Sequence, residues 1–204
     1  YYWYGLHASL WEDMGKIQDC YNAHKATAET DCADVRSASF WPQLRTVLGH
    51  ECGHIHNSHV VYLTALHYLK SVASVFVRWI VEPAVVALNA WSRRAEITCD
   101  RAGMLCSKNT DVSSRALTKL VLGSRKLYEE FNLDAFLEQY EEGKEGLGKY
   151  MEVFATHPWL PKRVLAMRVF SESQLFRQAA GLGPEGLSMT EIDDRVKALL
   201  KGDA

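Results

Sequence analysis

The chemistry in this chain is concentrated in TVLGHECGHIHNSHV, Thr46 to Val60, where four histidines (His50, His54, His56 and His59) fall within ten residues. Two of them bracket a glutamate as H-E-x-x-H. On an α-helix, residues four apart share a face about one turn apart. His50 and His54 can therefore aim their imidazoles at one ion, and Glu51 can reach a water held there. A zinc ion with three protein ligands keeps a position open for water and lowers that water's pKa towards about 7. A neighbouring carboxylate can take the proton as the water attacks. The chemistry thus requires both histidines at this spacing and a glutamate directly after the first. Alone, the motif also occurs in many unrelated sequences as nothing more than a polar helix.

A third ligand has to come from elsewhere. Two histidines and one carboxylate form one standard set for hydrolytic zinc. The stretch RRAEITCDRAG supplies Glu96, with Asp100 one helical turn later. A second helix crossing the first would present Glu96 to the metal and let Asp100 orient a ligating histidine from behind. The competing reading is a solvated ion-pair face built from Arg93, Arg94, Glu96, Asp100 and Arg101.

Three segments together carry a resemblance. LGHECGHIHNSH, SRRAEITCDRAG and HPWLPKR occur in that order, and the chain resembles the CAAX prenyl protease/HtpX-type gluzincin zinc metallopeptidases, in particular their small soluble members. The resemblance covers about Leu48 to Arg168. It implies a zincin-like fold and one zinc ion per chain, bound by His50, His54 and Glu96. It implies Glu51 as the catalytic base and acid, and Asp100 behind the ligands. It implies that His157 faces the scissile carbonyl and Arg163 supports the site. In the family a substrate-pairing strand follows an Asn-Ala dipeptide before the zinc helix. Asn22-Ala23 matches the dipeptide, but HKATAETDCADVRS, His24 to Ser37, lacks the alternation of a strand.

The elements that must position these residues read as mainly α, α+β at most. An opening helix is expected over Tyr4–Tyr21 and a loop over Asn22–Ser37. The H-E-x-x-H helix is expected to start at a Ser39 N-cap with Pro42 in its first turn. Leu44, Val47, Leu48, Cys52 and Ile55 recur at helical spacing and are expected to bury its opposite face. Tyr62–Ile80 continues helical, and Glu82-Pro83 marks a break. Further helices are expected over Ala84–Ser107, Val112–Tyr128, Leu133–Tyr140, Lys149–Phe154, Pro161–Arg177 and Met189–Leu200. Residues 1–204 read as one zincin-like metallopeptidase domain, with 178–204 a linker plus a C-terminal helix of regulatory potential. His59 is expected at the surface, with a place behind the zinc ligands as the alternative; Cys52 is expected in the core, and Cys99 and Cys106 as core or idle thiols.

The totals bound the partners. The 204 residues carry a net charge of −2, with no basic run to argue for nucleic acid. Five cysteines without a C-x-x-C pair point to a reducing compartment, here read as cytoplasmic or otherwise soluble. The aromatic N-terminal stretch has no basic n-region or apolar h-region and is not read as a signal peptide. Ser71–Trp91 is apolar but holds Arg78, Glu82 and Pro83. A charge at the bilayer centre costs about 2.5–3.5 kcal/mol, so integral insertion is not expected, which leaves peripheral contact open.

Two functions compete. One is a zinc-dependent endopeptidase acting on polypeptides, with Glu51 as general base. The other is a latent or non-catalytic helical metal-binding interaction protein whose tail after Ser171 fills the cleft. An intact Glu51 favours the first, because a purely structural site has no need of a base.

Overall fold

The computed structural model describes residues 40–72, 78–122, 130–142 and 160–200. The helices expected at Tyr4–Tyr21 and Lys149–Phe154, the Asn22–Ser37 loop, Ser39 and His157 lie outside the described residues. The described residues form eight helices: α1 Phe40–His56, α2 His59–Val72, α3 Arg78–Ser107, α4 Thr110–Leu122, α5 Leu133–Glu142, α6 Leu160–Ser171, α7 Gln174–Ala179 and α8 Met189–Leu200. Among them there is no strand, only one parallel bridge between Ser173 and Leu187. The mainly α architecture is the one the helical periodicity predicts.

The long helix α3 is the axis. α1, α2, α4 and α6 all pack against it, α1 most extensively. α6 is buried around most of its circumference, from Leu160 through Val164 and Met167 to Phe170. The main core runs through Ile97, Met104, Leu117, Leu137, Val164, Met167, Phe170 and Phe176. α8 contributes Ile192 and Val196 to that same core, and Asp193 pairs with Arg101 of α3 at 2.7 Å. The C-terminal helix is thereby built into the packing. Its start is a reciprocal cap: Ser188 Oγ accepts from the Glu191 backbone N–H at 3.3 Å, and the Glu191 carboxylate accepts from the Ser188 N–H at 2.9 Å.

Three boundaries differ from the sequence reading. Pro83 lies inside α3 and does not break it. It removes the bond to the Trp79 carbonyl, in the first described turn, where Pro83 and Trp79 are both exposed and water can satisfy the oxygen. The helix expected over Pro161–Arg177 is divided after Ser171, because Ser173 adopts extended geometry (φ −69°, ψ 145°) and its side chain accepts from the Phe176 N–H, starting α7. The zinc-motif helix also stops earlier, at His56. Asn57 and Ser58 form a turn in which Ser58 is left-handed at φ 55° and the Asn57 side chain donates to the Gly53 carbonyl at 2.8 Å.

The burial of α1 departs from expectation, although Val47 is buried as read. Leu48 is 50% and Ile55 72% exposed, and Cys52 is exposed too. The buried side is Thr46, Val47, Gly49, His50 and Gly53. The reason lies in the seam with α3, where the two backbones nearly touch. A Cβ on Gly49 would lie 2.6 Å from Cys106 Sγ, and one on Gly103 would lie 2.6 Å from the Thr46 carbonyl oxygen. Side chains larger than hydrogen do not fit there, so the helices meet through their small-residue faces.

Gly103→Ala is accordingly expected to force α1 and α3 apart, because the atom it meets is backbone and cannot rotate away. Overpacking of this kind costs about 1–3 kcal/mol; chemical denaturation of the variant should show a lower midpoint at unchanged slope.

Candidate metal centre

The α1–α3 seam brings the candidate residues together. His50 Nε2 and His54 Nε2 lie 3.1 Å apart. His50 Nε2 is 3.5 Å from Glu96 Oε2, and His54 Nε2 is 3.6 Å from Glu96 Oε1. Donor atoms at bond lengths of about 2.0–2.1 Å around a tetrahedral ion stand about 3.3 Å from one another. The separations, measured to one or the other Glu96 oxygen, lie near that value, so the donor set of His50, His54 and Glu96 suits a zinc ion. Among the described residues three donors converge on this point. Glu51 follows His50 on the same helix and is half-buried.

Charges around the donors are arranged in layers. Asp100 is buried and accepts from His50 Nδ1 at 3.0 Å. Arg163, from α6, grips the same carboxylate through Nε at 2.7 Å and Nη2 at 2.6 Å. Its Nη2 also stands 3.3 Å from Glu96 Oε2. Arg163, expected to support the site, therefore pairs with both Asp100 and Glu96. Burial would raise the Asp100 pKa, but the Arg163 charge and hydrogen bonds bring it below the usual carboxylate range. The same two carboxylates hold the Arg163 guanidinium more basic than usual against its burial.

The two histidines are pushed in opposite directions. Burial disfavours charge on His50, yet hydrogen bonds to Asp100 and Glu96 raise its pKa to about 9. Burial lowers that of His54 to about 4, with the charge of His50 adding to the effect. Without a metal the pair thus shares one extra proton, held on the His50 side, and Asp100 fixes His50 with Nδ1 towards its own buried carboxylate and Nε2 towards Glu96.

The solvated ion-pair alternative for the second motif does not hold. Arg93, Glu96 and Asp100 are buried, while Arg94 faces solvent. His59 departs from expectation as well: it is 6% exposed, not a surface residue. Its Nδ1 lies 3.1 Å from His54 Nδ1 and 3.5 Å from Cys99 Sγ, and its ring stands edge-on to Trp91 with centroids 5.1 Å apart. A continuous helix would have rotated His59 away from His54; the Asn57-Ser58 turn brings it back. That polar dipeptide was the available signal, since Asn and Ser favour turns by bonding to nearby backbone. His56 is exposed. Cys99 is fully buried in the core and Cys106 is exposed.

Two histidines a turn apart on one helix, with a glutamate from a second helix beside them, form a candidate metal site of the gluzincin type. The family model for peptidase family M48 matches residues 38–170. The chain belongs to peptidase family M48, whose members are zinc metallopeptidases with a zincin-like fold. It is 38% identical over 100 residues to "Plastoglobule-localized metallopeptidase 48, chloroplastic" of Arabidopsis thaliana. That match covers 48% of this chain and 29% of the relative, so the chain spans under a third of the relative's length. No solved structure matches the chain significantly. Among the described residues no helix is long and apolar enough to cross a membrane.

Arg163→Met should leave the Asp100 carboxylate buried without its guanidinium. Losing one partner of a buried pair costs about 3–5 kcal/mol. In chelator-treated protein, urea unfolding should show that loss, and the double variant Asp100→Asn/Arg163→Met should lose less than the two single variants added together.

Proposed function

We propose that the chain is a zinc-dependent endopeptidase whose catalytic groups are Glu51 and His157. The observation that carries this reading is the triangle of His50, His54 and Glu96 donor atoms at 3.1–3.6 Å, with Glu51 beside it on the same helix. A zinc ion in that triangle supplies a Lewis acid that acidifies water and polarises the scissile carbonyl. His50, His54 and Glu96 bind it. Asp100 keeps His50 in the tautomer that offers Nε2, and Arg163 holds Asp100 and Glu96 in place. Glu51 takes the proton of the attacking water and returns it to the leaving amine. His157, assigned by the HPWLPKR motif, donates a hydrogen bond to the oxyanion.

The substrate is a polypeptide, as the peptidase family implies. Residues 1–204 act as one zincin-like domain in this reading, with the α8 segment part of the domain. The latent, non-catalytic alternative, with the tail filling the cleft, loses ground because α8 is engaged with the core and Arg101. A cytoplasmic address has no support from the curated relative, whose own name places it at chloroplast plastoglobules.

The test is hydrolysis of an unfolded protein such as casein by the zinc-loaded chain. Glu51→Gln should keep about one zinc per chain and its fold, while turnover falls about 10²–10⁴-fold. Unchanged kcat in that variant removes Glu51 from the mechanism. His157→Ala should likewise keep zinc and lower kcat about 10²–10³-fold with KM little changed, the behaviour of a group that acts in the transition state.

A further inference from the structure

Each ligating histidine needs a partner for its other ring nitrogen. Asp100 fills that role for His50. The second contact of His54 is His59, a residue that the three motifs leave without a task.

We propose that His59 is the positioning residue of His54: its Nδ1 accepts the His54 Nδ1–H and so keeps the His54 Nε2 lone pair aimed at the metal. The inference rests on His54 being a zinc ligand through Nε2.

A neutral imidazole carries one N–H. Coordination through Nε2 places that hydrogen on Nδ1, and a polar hydrogen in a largely buried ring needs an acceptor. The nitrogen it meets is His59 Nδ1, at 3.1 Å. His59 must then keep Nδ1 bare and carry its own proton on Nε2. Its place is fixed from three sides. The Asn57-Ser58 turn resets the chain direction, with Ser58 left-handed. Trp91 packs edge-on against the His59 ring. Cys99 Sγ closes the nitrogen's side at 3.5 Å. Metal-bound histidines commonly use their other nitrogen in this way, and loss of such a partner typically weakens metal affinity.

The same atoms suggest a competitor. His54, His59 and Cys99 also lie close enough together to hold an ion of their own. With both ions bound, His54 would have to bridge them as an imidazolate stripped of both ring protons. One ion and one hydrogen bond require only neutral rings, and the geometry points to that simpler state.

The experiment measures zinc affinity by chelator competition on the full chain and on His59→Leu, His59→Asn and His54→Ala. His59→Leu should bind zinc about 10–100-fold more weakly. His59→Asn should recover most of the loss, because its Oδ1 stands near the position of Nδ1 and accepts the same hydrogen. A packing role alone predicts the reverse order, since leucine is the better filler of a buried site. In zinc-loaded wild type, nitrogen-15 NMR should find the His54 proton on Nδ1, coupled through the hydrogen bond to an unprotonated His59 Nδ1. That measurement decides the matter if His59→Leu fails to fold. A folded His59→Leu chain with wild-type affinity overturns the proposal, as does a His54 proton on Nε2 or a second zinc held by Cys99. His54→Ala separates the two levels. Stoichiometric zinc in that variant removes the ligand reading itself; loss of zinc there, with His59→Leu unaffected, removes only the role of His59.

Discussion

The close approach of α1 and α3 governs the rest of the site. At Gly49 and Gly103 the two backbones leave no room for a Cβ. The histidines of one helix and the carboxylates of the other therefore emerge from a narrow seam, where their tips meet at 3.1–3.6 Å. Helices held apart by ordinary side chains cross at about 8–10 Å, and short side chains such as Glu96 would then have further to reach. The apolar residues Leu48 and Ile55 end up on the exposed side of α1 because the tight seam selects the glycine face for burial.

Burying so many ionisable groups is costly unless each is answered. Here the answers form a chain: Arg163 to Asp100, Asp100 to His50, and His50 to His54 and Glu96. Such a buried network is weak evidence for stability, since well-packed apolar residues of the same volume often do as well. Its value lies in position. Every member is held by at least one fixed neighbour, so the nitrogen and oxygen donors keep their spacing in the absence of a metal. α6 matters for the same reason. It is buried nearly all round, so Arg163 projects from an anchored helix and not from a loop.

The environment also sorts the two histidines, which the motif treats as equivalents. Burial opposes charge on both, but His50 hydrogen-bonds to Asp100 and Glu96 and is drawn towards the charged form, whereas His54 has the attraction of Glu96 alone and burial keeps it neutral. Their different neighbours follow from one being in the middle of α1 and the other near its last turn, beside the Asn57-Ser58 reversal.

The sequence by itself determined the helical class, the spacing of His50, Glu51 and His54, and the pairing of Glu96 with Asp100, because these depend on local periodicity and side-chain chemistry. It also located some helix ends, such as Ser107 and both ends of α8, where turn and cap residues act on their own neighbours. Only the tertiary structure decided which face of α1 is buried. Hydrophobic spacing pointed to Leu48, Cys52 and Ile55, but backbone contact at glycines, a relation between residues over fifty positions apart, outweighed it. The same holds for Pro83, tolerated because it and Trp79, whose carbonyl it leaves unbonded, are exposed, and for His59, whose place behind His54 depends on a two-residue turn and on Trp91 and Cys99 from another helix. Local pattern fixes what each segment can form. Which of its faces is used is set by the partner it meets, and a single segment carries no record of that partner.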